Sequence, residues 1–326
     1  MTIAETFGLL NPPETSNRNL INAVSLSGYP IAKVGISTEG FPVILISSIG
    51  DNFSFSQKNV RLKYLELIQN TECKVSENGS TNHAFYTVII LKSEQPSLQR
   101  YFLGIAETLI QSLSLKPTQK EVAGTFKAFV EIFRSLSDVP TKTVQGLWSE
   151  LFVIETGRQP ATLLNYWHCK PDERFDFNAD VEKLEVKSSS TLERIHTFAS
   201  EQLNPPIEKL VVIASVFLKQ TAHGRSIADL AASIQQQIEN NELAEKMFSI
   251  ITATLGNTLE QSLKIKFDYD LAKNSLRFYR HQDIQKIEKV NIPERVSEVR
   301  YKSNLTDLNP INPANISAGG QLYVAL

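Results

Sequence analysis

The chain has 326 residues, enough for one large domain or two smaller ones. With 42% hydrophobic and 21% charged residues it has the composition of a globular protein and no low-complexity tract. A formal net charge of −2 argues against a broad, nonspecific nucleic-acid surface, so any such contact has to come from a local patch.

No apolar run approaches the roughly 18 residues of a membrane span. The N-terminus "MTIAETFGLLNPPETSNRN" has neither a basic start nor a signal-peptide core, and a cytoplasmic location is expected. Cys73 and Cys169, the two cysteines, lack metal-ligand spacing, so neither a disulfide framework nor a zinc site is indicated.

The first third reads as β-rich. "YPIAKVGISTEGFPVILISSI" gives two strands around Thr38-Glu39-Gly40, and "NVRLKYLELI" and "HAFYTVIILKS" continue the pattern. Two helices follow, "SLQRYFLGIAETLIQSL" and "KEVAGTFKAFVEIFRSL", with apolar residues three and four apart. "SLKPTQ" and "SDVPTK" are polar, proline-containing breaks. A domain boundary at the first divides the chain into 1–115, a β-rich docking or DNA-contact region, and 116–326.

The second part opens with the helix "TVQGLWSELFVIETG", ended by Gly157. Strands are expected at about 173–177, 181–188 and 194–198, then a helix start at "SEQLNPP". "KLVVIASVFLK" suits a central strand covered on both faces. Helices "SIADLAASIQQQIEN" and "ELAEKMFSIITATLG" follow, then a hairpin in "LKIKFDYDLAKNSLRFYRH". This order predicts an α/β (α+β) architecture built on one mixed sheet flanked by helices.

Chemistry concentrates in "FDFNADVEKLEVKSSS", residues 175–190. In a strand, residues two apart share a face, so Glu185 and Lys187 lie side by side while Leu184 and Val186 point into the opposite layer. Asp176 sits between Phe175 and Phe177, whose rings are expected to point away from it. An even number of loop residues brings Asp176 onto the Glu185 face; an odd number without a bulge does not. Two carboxylates on one face raise each other's pKa unless a cation lies between them. Mg²⁺ or Mn²⁺ meets that need with oxygen ligands and lowers the pKa of a bound water. Lys187 beside such an ion can orient the attacking water or neutralise transition-state charge.

Glu-x-Lys alone is a weak signal, and Glu72-Cys73-Lys74 repeats it in what reads as a solvated edge strand. Glu150 stands mid-helix among apolar neighbours and needs a partner, either a metal or a buried Arg or Lys. Glu155, one turn on near the helix end, reads as solvent-accessible and structural. His196 fits a structural histidine or a group that positions phosphate or water. Ser200 and Gln202 lie at a helix start, where a hydroxyl caps the backbone and free N–H groups attract phosphate. Ser188, Ser189 and Ser190 either bond phosphate or end a strand. Lys183, Arg194, Lys209 and Lys219 are the candidates for a local basic patch.

The series "GLWSELFVIE", "YWH", "FDF", "LEVKSSS" and "RIHTFASEQL" resembles a bacterial family of PD-(D/E)XK nuclease-superfamily proteins, a domain of unknown function. The resemblance is specific over residues 146–203. It implies a restriction-endonuclease-like mixed sheet flanked by helices and Mg²⁺-dependent cleavage of DNA. It also implies an association with restriction-like defence, so that DNA and protein subunits of a defence complex are the expected partners. By position, the motif aspartate falls on Asp176, the second acid on Glu185, the lysine on Lys187 and the helix acid on Glu150. Pro171-Asp172 also precedes Glu185, but the strand context of "FDF" favours Asp176. The rival expectation is the same fold binding DNA or protein without cleaving.

Overall fold

The computed structural model describes residues 1–14, 20–48, 59–77, 79–140, 142–168, 173–316 and 319–326. Cys169 and Pro171-Asp172 lie outside them. The chain divides into two compact units, Met1–Pro140 with Ala244–Glu260, and Thr141–Leu243 with Gln261–Leu326. No helix among the described residues is long and apolar enough to cross a membrane.

The first unit begins with a short helix, α1 (Ile3–Phe7), whose Thr2 and Glu5 cap each other reciprocally. Strands β1 (Leu20–Leu26), β2 (Tyr29–Ile36), β3 (Pro42–Ile46), β4 (Val60–Arg61), β5 (Leu65–Glu77) and β6 (Ser80–Leu91) follow. Their order is β1-β2-β3-β6-β5-β4, and β1 also pairs in parallel with β5, so the sheet closes on itself. One alternating face, including Ala23, Val43, Leu45, Cys73, Val75 and Val88, forms an apolar cluster. Gly35 is required there, because a Cβ would come 2.6 Å from Ile21 Cγ2.

Glu72 and Lys74 flank Cys73 and alternate away from this cluster. Glu72 faces His83 at 3.7 Å on the exposed side. Contrary to the sequence expectation, this stretch of β5 is not an edge, since β1 pairs with it at Lys74–Ser76. The reason is non-local: β1 lies some fifty residues upstream, and no local spacing marks it as a partner of β5.

Helices α2 (Pro96–Gln111) and α3 (Gln119–Arg134) complete this unit. Phe102 of α2 meets Phe129 and Phe133 of α3 at centroid distances of 5.2 and 6.0 Å. The expected boundary at 115/116 therefore falls between two packed helices, and the compact division comes at the second proline break, Pro140.

In the second unit, α4 (Val144–Thr156) starts where Thr143 Oγ1 accepts from Gly146 N–H, and α5 (Pro160–Tyr166) follows. The next elements are β7 (Phe177–Ala179), β8 (Glu182–Ser189), β9 (Ile195–Ala199), α6 (Ser200–Leu203), β10 (Leu210–Phe217) and β11 (Gln220–Ser226). Then come α7 (Ile227–Gln237) and α8 (Asn241–Leu255), which enters the first unit at Ala244. The last elements are α9 (Leu259–Ser262), β12 (Lys266–Phe267), α10 (Tyr269–Ser275), β13 (Arg277–Arg280), β14 (Arg300–Asn304) and α11 (Leu322–Ala325).

The main sheet is mixed, in the order β13-β10-β8-β7. β8 and β10 run parallel over their whole lengths, and Val211–Val216 are buried, as a central strand demands. Two expectations are corrected. β9 leaves the main sheet and pairs with β14, a hundred residues downstream. The expected hairpin at 263–281 is β12, a helix and β13, because Asp268 Oδ1 accepts from Leu271 N–H and starts α10. β12 then pairs with β11, and β13 with β10.

The C-terminal segment is fastened to β8. Glu182, 1% exposed, accepts from Leu322 and Tyr323 N–H at 2.8 and 3.2 Å, and Tyr323 donates its hydroxyl to Lys183 and Leu210 carbonyls. Glu182→Ala strands two buried N–H groups and should lower stability by about 1–3 kcal/mol, whereas Glu182→Gln, which keeps an acceptor, should cost less. Urea denaturation of both variants checks this ordering.

Candidate active site and metal centre

The site grows from a short strand. Ala179 pairs with Glu182 across a two-residue turn, Asp180-Val181, with Asp180 in the left-handed region (φ 46°). The loop is thus even, and Phe177 pairs with Leu184, so the next position outward sets Asp176 across from Glu185. β7 stops there, and its absence beyond Phe177 leaves Val186 N–H without a strand partner on that edge. Asp176 Oδ2 accepts it at 2.9 Å, while the Asp176 carbonyl accepts from His168 N–H at 3.1 Å.

Asp176 therefore owes its place to these bonds more than to strand parity. The flanking rings confirm the bend: Phe177 shares a face with Leu184, but Phe175 packs with Ile213, the register partner of Glu185. The expectation that both rings turn away from Asp176 together is corrected.

From α4, Glu150 enters the same region, 3% exposed. Its Oε1 lies 2.6 Å from Lys142 Nζ. Its Oε2 accepts from Trp167 Nε1 at 2.9 Å and lies 2.7 Å from His168 Nε2. Lys142 Nζ also donates to Asp176 Oδ1 at 2.8 Å and stands 3.2 Å from His168 Nε2. Of the partners expected for Glu150, a lysine is present in Lys142, though a third of its side chain is exposed. Ligand atoms of Glu150, His168 and Asp176 nevertheless all lie within 4.8 Å of one another. His168 holds the left-handed backbone region (φ 44°), an uncommon conformation that histidine visits more than most residues.

Burial opposes every one of these charges, and the neighbours decide which survive. For Glu150, burial is outweighed by His168 and Lys142, which hold the carboxyl down at about 2. Asp176 is pushed up by burial and by the Glu150 charge, against the pull of Lys142 and Val186 N–H. Burial alone would lower the Lys142 ammonium, but the Asp176 and Glu150 charges raise it above the ordinary lysine value. Glu185 is pushed up to about 8, by burial first and Asp176 second, with Lys187 pulling the other way. One Glu185 oxygen meets Lys187 Nζ at 2.7 Å; the other, Oε2, is buried without a hydrogen-bond partner among the described residues.

Lys187 also donates to Gln202 Oε1 at 3.3 Å and lies over the Phe198 ring. The same Gln202 oxygen accepts from Ala199 N–H, so Gln202 both starts α6 and holds the lysine. Ser200 does not cap: its hydroxyl accepts from Asn204 Nδ2. Ser188 accepts from Gln145 of α4, and Ser189 from Thr191 N–H, which ends the strand.

His196 is buried 2.7 Å from Ser215 Oγ, and burial, then the Lys187 and Arg194 charges, lower it to about 4. It sits in the packing layer as a neutral histidine rather than on a substrate-facing surface. Arg194 is likewise inside, donating to Ser215 and to the Ser275 carbonyl, and Lys209 pairs with Asp180, so the expected basic patch does not assemble from these two. Glu155 is structural but not solvated, bonded to Arg225, Ser233 and Tyr269.

Sequence reasoning missed Lys142 and His168. Lys142 ends the polar break "SDVPTK", and His168 closes "YWH"; neither has a spacing to the acids that marks it. Because Glu185 is raised from 4.5 to about 8, the folded metal-free chain binds a proton in that window which the unfolded chain has lost. Its stability should thus fall as pH rises from 4.5 to 8. Glu185→Gln should remove this component, so its melting temperature relative to wild type should climb across the window. Thermal melts in EDTA at pH 5, 6.5 and 8 test the sign; a variant equally destabilised at all three would make Glu185 an ionised structural partner of Lys187.

Comparison with known proteins adds one match. None of the curated proteins and none of the solved structures matches the chain significantly. The sequence family described as "Putative PD-(D/E)XK family member" (DUF4420) matches residues 3–306. With nearly the whole chain matched, the protein belongs to this PD-(D/E)XK family.

Proposed function

We propose that this protein hydrolyses phosphodiester bonds of DNA with the aid of Mg²⁺ or Mn²⁺, as an endonuclease in restriction-like defence. The observation that carries the reading is Glu185: a buried carboxylate with one oxygen on Lys187 and the other without a partner among the described residues, beside the Asp176 carboxylate. An isolated buried carboxylate oxygen is costly, and a divalent cation is the partner that relieves it.

The donor set fits such an ion. Asp176 and Glu150 supply hard oxygen ligands and His168 a nitrogen, all within 4.8 Å of one another, while Glu185, which feels the Asp176 charge, stands outside that trio. The bound ion would lower the pKa of a water and balance charge on a phosphoryl oxygen. Lys187, held by Gln202 and Glu185, is placed to orient that water and to offset negative charge developing on phosphate. Gln202 acts through the lysine as a positioning residue. DNA as substrate and defence partners follow from the family resemblance rather than from a contact in this chain, and the cytoplasmic setting from the N-terminal sequence.

One observation favours a second reading, in which the fold binds DNA or protein without cleaving. Lys142 already supplies a cation to Glu150 and Asp176, as a retired metal site would.

Cleavage assays on plasmid, linear and single-stranded DNA separate the two. Wild type should cut in Mg²⁺ or Mn²⁺, and Lys187→Met should lower the rate by about 10²-fold or more. DNA affinity should stay within a few-fold, because one lysine is a small part of a phosphate footprint. Wild type that binds but cuts nothing hands the site to the non-cleaving reading.

A further inference from the structure

We propose that Lys142 is an exchangeable internal cation, filling the position between Glu150, His168 and Asp176 until a divalent ion that accepts an imidazole nitrogen displaces it. The inference rests on the metal-binding reading of the site given above.

Three observations lead to it. The Lys142 ammonium touches oxygens from two separate elements, Glu150 of α4 and Asp176 ahead of β7, at 2.6 and 2.8 Å. Those two groups and His168 are the trio whose ligand atoms converge within 4.8 Å. A divalent ion binds carboxylate oxygens at roughly 2.0–2.6 Å, so it and an ammonium on the same oxygens would be like charges at near-contact distance. One has to leave when the other arrives.

The second observation is which group is free to leave. Side-chain exposure is 33% for Lys142 against 4% for Glu150, 10% for Asp176 and 7% for Glu185. Lys142 also precedes the N-cap Thr143, so its backbone is outside the hydrogen-bonded turns of α4. A long side chain with a route to water can withdraw; the buried acids cannot follow it.

The third is Glu185 Oε2, which has no hydrogen-bond partner among the described residues, Lys142 included. Lys142 serves two of the three acids and Lys187 the third, so two ammoniums face three carboxylates. The imidazole at the position sets the ion class: nitrogen ligands suit transition metals better than Mg²⁺, which places Mn²⁺ ahead of Mg²⁺.

The test is calorimetric titration of Mn²⁺ into EDTA-stripped full-length protein without DNA. Lys142→Met removes the resident competitor and should tighten the Mn²⁺ dissociation constant by about tenfold or more, the scale on which unpairing a buried charge is felt. Mn²⁺ should bind wild type more tightly than Mg²⁺, and His168→Ala should erase that preference. Equal or weaker Mn²⁺ binding by Lys142→Met overturns the exchange while leaving the metal site intact. Absence of Mn²⁺ binding in both proteins overturns the metal site and the exchange with it. Should Lys142→Met fail to fold, acetylation footprinting of wild type decides: Lys142 labelling should rise several-fold on adding saturating Mn²⁺, and unchanged labelling overturns the proposal.

Discussion

Three carboxylates, Glu150, Asp176 and Glu185, are buried within one small region, and the cost of desolvating them shapes everything around it. Each is met from a different direction. Glu150 gathers Lys142, Trp167 and His168; Asp176 takes Lys142 and a strand-edge N–H; Glu185 has Lys187. Charge compensation is strongest at Glu150 and weakest at Glu185, and their carboxyls move in opposite directions as a result.

Other buried charges in the same unit show that this imbalance is particular to the site. Glu155 is bonded to Arg225, Ser233 and Tyr269. Glu182 receives two backbone N–H groups from the C-terminal segment, and Arg194 is spread over Ser215 and Ser275. Where the fold needs a buried charge for architecture, it surrounds that charge with partners. Glu185 is treated otherwise, with a buried oxygen that has no partner among the described residues.

The scaffold achieves this with little irregularity. β7 is only three residues long, so one N–H of β8 takes a side chain in place of a strand, and that side chain is Asp176. Helix α4, packed against β8, carries Glu150 to the same edge, and α6 presents Gln202 to the lysine. The buried acids and Lys187 thus hang on or beside regular strands and helices, with hydrogen bonds as their supports.

Much of this was legible without coordinates. The two-residue period of "LEVKSSS" put Glu185 beside Lys187, the apolar run at 209–219 announced a central strand, and the all-round apolar helix at 143–157 required a partner for Glu150. These are local consequences of strand and helix periods, and they hold whatever the rest of the chain does. Tertiary structure alone decided the rest. The pairing of β9 with β14, the closure of β1 on β5 and the helix that replaces the expected hairpin depend on partners distant in sequence or on a single cap. Lys142 and His168 converge on the acids from segments eight residues before and eighteen after Glu150, a juxtaposition with no periodic signature. The sequence by itself determined which side chains carry the charge; the folded chain decided which charges meet, because only packing sets the distances and burial on which electrostatics depends.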